Sequence, residues 1–221
     1  MSPLKAEHLP HYTYADYAQW EGRWELIHGV AFAMAPAPSP RHQMVSQKIA
    51  AELERCLSTC PQCHALLPVD WRIADDIVVQ PDNLVICHEP EGPYLTQSPH
   101  LIFEVLSPST ALKDRNIKYE LYEKAGVLYY CLIDTQKNQA TIYKLVNGRY
   151  VKEATVSKEY FDFDWEGCRL SFNFSTIWVE AAIETQRDRL ATRACEAREQ
   201  YAAGQCTTGG LREMMEDLER V

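Results

Sequence analysis

The chain has 221 residues and a mass of 25.4 kDa, which suits one globular domain with appendages and leaves little room for a second core. With 46% hydrophobic residues, 24% charged residues and five Trp, it is neither a disordered nor a fibrous sequence. A formal net charge of −9 opposes bulk attraction to polyanions, so an anionic partner must be met by locally gathered cations. Lys113, Arg115, Lys118 and Lys124, with Arg41 and Lys48, are the block available for that.

No apolar run approaches the roughly 18 residues that span a bilayer, and the start MSPLKAEHLP lacks the apolar stretch of an export signal. The expectation is a cytoplasmic protein without a membrane partner. Its eight cysteines are scattered and, in that setting, read as mostly buried thiols.

In chain order, Tyr12 to Trp20 suggests a short helix, and Trp24-Glu25-Leu26-Ile27, His28-Gly29 and Val30 to Met34 read as a tight hairpin. Pro36, Pro38 and Pro40 exclude a helix or central strand there, because each ring fixes φ and removes a donor. Val45, Ile49, Leu53 and Leu57 then recur every four residues, predicting a helix from about Arg41 to Leu57. Val69, Trp71 and Ile73 alternate as in a half-buried strand, and Ala74-Asp75-Asp76 turns the chain into Ile77-Val78-Val79.

Leu84 to Cys87 and Leu101 to Leu106 are apolar runs of the kind buried on two faces. A helix from about Lys113 to Lys124, closed by Gly126, leads to a strand from Val127 to Ile133. Strand, helix, strand in this order implies a right-handed crossover and a parallel pair. Ala140 to Val146, the Asn147-Gly148 turn and Arg149 to Val156 form a hairpin at the sheet edge, and the sequence from about Ser175 onward is helix-like. The fold class is therefore α/β: a mixed β-sheet flanked by helices over 12–178, with a helical C-terminal tail over 179–221.

The chemistry concentrates in Glu25, Pro81-Asp82, Glu104-Val105-Leu106 and Lys118. Asp82 and Glu104 lie on or beside two apolar strands, where ionised carboxylates are costly without a cation. Mg²⁺ prefers oxygen ligands and keeps several waters, so two acids, a backbone carbonyl and water make a site for it, with Mn²⁺ as a substitute. Asp114, Lys118 and Tyr122 follow each other by four and share one helix face. Taken alone, such an Asp and Lys form an exposed pair worth about 0.3 to 0.5 kcal/mol.

The run EVLSPST from Glu104 to Thr110, followed by Asp114, Lys118, Tyr122 and GVLYYCLID, resembles the Uma2 family, a branch of the PD-(D/E)XK restriction-endonuclease-like superfamily. WELIHG, PSPRHQ and VVQPDNLVI are similar to the same family's pattern, so the resemblance covers about Tyr14 to Phe174. It implies a restriction-endonuclease-like core in which Asp82 and Glu104 bind metal, Glu25 assists and a lysine activates water. Leu106 stands where the plain pattern has that lysine, and Lys118 on the following helix is the residue that matches a displaced one. His42, Asp114 and Tyr122 are auxiliary candidates, and Ser107 and Ser109 are candidate phosphate contacts.

The implied activity is Mg²⁺-dependent cleavage of DNA, with a homodimer as the simplest way to cut both strands. The alternative is a catalytically inactive fold that binds protein or nucleic acid, which the acidic charge and Leu106 favour. Cys60-Pro-Gln-Cys63-His64 matches haem attachment only superficially. It lacks the second pair that a structural zinc needs, and reads as a loop.

Overall fold

The computed structural model describes residues 10–34, 37–107 and 113–179. The chain divides into two units, Met1–Trp178 and Val179–Val221. The expected C-terminal helical tail falls outside the described residues from 180 onward.

In chain order come α1 (Tyr14–Tyr17), β1 (Trp24–Ile27), β2 (Val30–Ala33), α2 (Pro40–Leu57), β3 (His64–Leu66), β4 (Trp71–Ala74), β5 (Ile77–Val79) and β6 (Asn83–Ile86). Then follow β7 (Leu101–Val105), a π-helical turn (Lys113–Lys118), α3 (Tyr119–Ala125) and β8 (Tyr129–Asp134). The first unit ends with β9 (Gln139–Val146), β10 (Arg149–Val156), β11 (Tyr160–Trp165) and β12 (Cys168–Asn173).

The largest sheet runs β10-β9-β8-β7-β6-β3. Only β7 and β8 are parallel within it, Leu101 facing Tyr129 and Glu104 facing Leu132. They are joined through the π turn and α3, as the strand, helix, strand pattern implied. Every residue of β6 and β7 is buried, which is why these runs read as continuously apolar. Gly126 closes α3 at φ 84°, a left-handed position that a side chain would strain.

The hairpin β1–β2 turns on His28 and Gly29, both at positive φ, the geometry that matches strand twist in a two-residue turn. A Cβ on Gly29 would also meet the His11 ring at 2.1 Å. This hairpin belongs to a separate antiparallel sheet, β2-β1-β5-β4, so the mixed sheet is not the whole β structure. Ser39 caps α2 by accepting from the His42 amide, with Pro40 in the first turn. The predicted apolar face of Val45, Ile49, Leu53 and Leu57 is buried.

The sequence reading missed β3 and the hairpin β11–β12. That hairpin covers one face of β7: Phe103 lies among Phe163, Phe172 and Phe174 at centroid distances of 6.0, 5.2 and 6.4 Å. Ile102 projects from the other face and joins Leu121, Tyr122 and Tyr130.

The reading of the cysteines as thiols is corrected by two disulfides, Cys60–Cys168 and Cys63–Cys87. Pairing of β3 with β6, His64 opposite Ile86, places Cys63 across from Cys87 one step further on. Cys56 and Cys131 are free and buried. Disulfides persist mainly in oxidising surroundings, so this pairing weighs against a reducing compartment. Among the described residues no helix is long and apolar enough to cross a membrane.

Truncating Phe103→Ala should cost about 3–5 kcal/mol of unfolding free energy, read from urea denaturation. Non-reducing peptide mapping should recover both cross-linked cysteine pairs, with Cys56 and Cys131 alkylated only after unfolding.

Candidate active site

Glu104 projects from β7 on the same face as Ile102, toward α3. Its Oε1 accepts from Lys118 Nζ at 2.8 Å and from the Tyr122 hydroxyl at 2.8 Å. Lys118 Nζ also lies 2.9 Å from Glu25 Oε1 and 3.9 Å from Asp114 Oδ1. The other oxygen of Glu25 takes the Lys113 ammonium, and Oε1 accepts from the Gln80 amide at 3.1 Å. Glu25, Glu104, Asp114, Lys118 and Tyr122 are all buried, so the bland alternative of an exposed Asp114–Lys118 pair is ruled out.

Asp82 enters one step past the pairing of Asn83 with Phe103, which sets it beside Glu104 at the end of β6. Its Oδ2 accepts from the Val105 amide at 2.8 Å and contacts His42 Nε2 at 3.0 Å. His42 stands in the first turn of α2, one turn before Ser46, whose hydroxyl donates to Asn83 Oδ1 at 2.9 Å. These contacts seat the N-terminal half of α2 against the end of β6.

The winding of the site helix departs from the expected α-helix. Residues Lys113 to Lys118 form a π-helical turn, a wider coil that is frequent at functional sites. Both Asp114 and Lys118 are buried within it. The Tyr130 hydroxyl donates to the Asp114 carbonyl at 2.9 Å and so pins the turn to β8.

Burial works against ionising Glu25, but Lys118 and Lys113 outweigh it and hold its pKa down at about 2. Burial works against the Lys118 ammonium too, yet Glu104, Glu25 and Asp114 hold its pKa well above the ordinary lysine range. For Glu104, burial together with the charges of Asp82, Asp114 and Glu25 prevails over Lys118 and raises its pKa. Burial opposes charging His42, but Asp82 outweighs it and raises the ring's pKa.

Four carboxylates, Glu25, Asp82, Glu104 and Asp114, thus gather around two ammonium groups, Lys113 and Lys118. Four negative charges against two positive leave a formal surplus of two negative with His42 neutral. That surplus and the all-oxygen donor set fit a hard divalent cation. Among the described residues no three His, Cys, Asp or Glu side chains form a ready-made coordinating group. Mg²⁺ needs only one or two carboxylates, with water completing its shell.

The structure brings Glu25, His42, Asp82, Glu104, Asp114, Lys118 and Tyr122 into one contact network. It also adds residues that sequence reasoning missed: Gln80 and Val105, through backbone amides that carry no side-chain signal, and Ser46 and Asn83. Lys113, expected in an external basic block, instead neutralises Glu25. Lys118 is buried, Arg115 sits 3.8 Å from Asp134, and Lys124 sits 3.8 Å from Glu120. Ser109 lies outside the described residues.

Acids on adjacent strand ends with a lysine between them, on a mixed sheet, define a nuclease-like protein. The chain belongs to the Uma2 family, described as "Putative restriction endonuclease", whose profile matches residues 14–168. Among solved structures, a protein from Anabaena variabilis ATCC 29413, described as a "putative nuclease belonging to DUF820", shares the fold with a TM-score of 0.62. The two are 14% identical over 75% of this chain and 97% of that one. No protein of curated function matches the chain.

Glu25 yields an acid-range prediction. Its folded pKa lies below the ordinary 4.5, so its contribution to stability is present above that value and is lost as pH falls toward about 2. Urea midpoints across this window should fall more steeply for the wild type than for Glu25→Gln.

Proposed function

We propose that the protein is a Mg²⁺-dependent endonuclease that hydrolyses phosphodiester bonds of DNA. The observation that carries this reading is the meeting of Lys118 with Glu104 at 2.8 Å, beside an Asp82 fixed to the next backbone amide of the same strand. Family membership and the shared fold support the nuclease class, and the four-to-two charge imbalance supports a divalent cation.

In this reading Asp82 and Glu104 hold Mg²⁺, or Mn²⁺ in its place. When bound, the ion supplies positive charge that polarises a phosphoryl oxygen and acidifies a water molecule. Lys118 sets its ammonium against Glu104, where it stabilises negative charge developing on the attacked phosphoryl group. Tyr122 fixes the Glu104 carboxylate by its hydroxyl, and His42 does the same for Asp82. Glu25 acts one contact further back, holding Lys118 and Lys113 and being held by the Gln80 amide. Two such sites in a homodimer would cut both strands.

Purified protein should nick and linearise plasmid DNA with Mg²⁺ or Mn²⁺. Asp82→Asn, Glu104→Gln and Lys118→Met should each lower the rate by at least about 10²-fold. Calorimetry should give a Mn²⁺ isotherm that Glu104→Gln removes. Folded wild type that neither binds Mn²⁺ nor cuts DNA would instead be a binding module built on a nuclease fold.

A further inference from the structure

A cavity of about 320 Å³ opens beside α1, lined by the rings of Tyr14, Tyr17, Trp20 and Trp24 and by the polar side chains of Asp70 and Gln80. Its polar groups are locked in place. Gln80 Oε1 accepts from Arg23 Nε and Nη2 at 3.2 and 2.9 Å, and Gln80 Nε2 donates to Asp70 Oδ1 at 2.6 Å. The Tyr17 hydroxyl donates to Asp70 Oδ2 at 3.0 Å. Each carboxylate oxygen of Asp70 therefore has one internal donor and keeps capacity for a second.

No basic side chain lines this cavity, so the carboxylate repels a phosphate and selects an occupant that brings N–H donors. The ring walls select a flat apolar body. A nucleobase has both properties, and the cavity is joined to the site described above: the Gln80 amide donates to Glu25 Oε1 at 3.1 Å, and Asp82 follows two residues later. A base held here lies one short strand end away from the acids.

We propose that this cavity takes one base of the nucleic-acid strand, unstacked from its neighbours, with its N–H edge on Asp70 and its ring against Trp20 and Trp24. This rests on the nuclease reading and extends it to substrate recognition. Guanine is the best match, because its adjacent imino and amino N–H groups face two carboxylate oxygens together. Thymine offers a single N–H between two carbonyl oxygens that the carboxylate repels.

The test is tryptophan fluorescence of the full chain in EDTA, where no cleavage occurs, titrated with short thymidine strands carrying one central guanine, adenine, cytosine or thymine. Saturable quenching should be tightest with guanine, and Asp70→Asn should weaken it by at least about tenfold while keeping the side chain's shape. Trp20→Ala should remove most of the signal, and Asp82→Asn should leave the quenching intact while stopping plasmid cleavage. If wild type cuts plasmid but binds the guanine strand no better than thymine alone, the base pocket is wrong and the nuclease reading stands. Guanine-selective quenching in a protein that never cuts DNA leaves the pocket standing and removes the nuclease reading. Quenching by tetramethylammonium that Asp70→Asn abolishes, without guanine preference, would overturn the pocket in favour of a cation cage.

Discussion

The ammonium of Lys118 is the group on which the architecture of the site depends. It draws Glu25 from β1, Glu104 from β7 and Asp114 from its own turn toward one buried point. Burying such charges costs several kcal/mol per ion before pairing, and removing one partner from a buried pair typically costs about 3–5 kcal/mol. An apolar cluster of the same volume would stabilise the fold as well or better. Stability alone therefore does not account for the cluster, whereas a chemical task that needs charge in a dry place does.

The same cluster explains how an acidic chain is compatible with a polyanionic substrate. Cations that looked in sequence like an external basic block are partly drawn inward, Lys113 to Glu25 and Lys118 to Glu104. Others are engaged at the surface: Arg41 donates to the Thr135 carbonyl at 2.7 Å and Lys48 to the Thr176 carbonyl at 3.3 Å. Long-range attraction is thus weak. Affinity must come from contacts made at close range, in keeping with a rate-limiting approach that slows further as salt screens the few remaining exposed cations.

Much of this was readable from sequence, for identifiable reasons. The period of four in α2, the continuous apolar runs of β6 and β7 and the two-residue turns at Gly29 and Gly148 are local signals, and the structure has each of them. Asp82 and Glu104 stood out because acids beside such runs need a partner. What stayed hidden was non-local. The hairpin β11–β12 is recognised by the aromatic face it lays on Phe103, and the disulfides depend on a strand pairing of β3 that a three-residue element does not announce. The π-helical winding of Lys113 to Lys118 was invisible because spacing by four suggests an α-helix equally well. Whether Asp114 and Lys118 form a surface pair or a buried one was decided only by the sheet behind them.

Carrying the ammonium on a wound segment instead of two positions along the acid's own strand separates two design variables. A residue inserted into β7 would turn Glu104 to the opposite face and disturb every pairing with β6 and β8. A residue inserted between Val105 and Lys113 alters only where the positive group arrives. Placement of the acids is thereby tied to the sheet's two-residue alternation, while placement of the base is left to loop length, the more freely varied quantity in evolution. A lineage built this way has a route to re-aim its lysine without refolding its core.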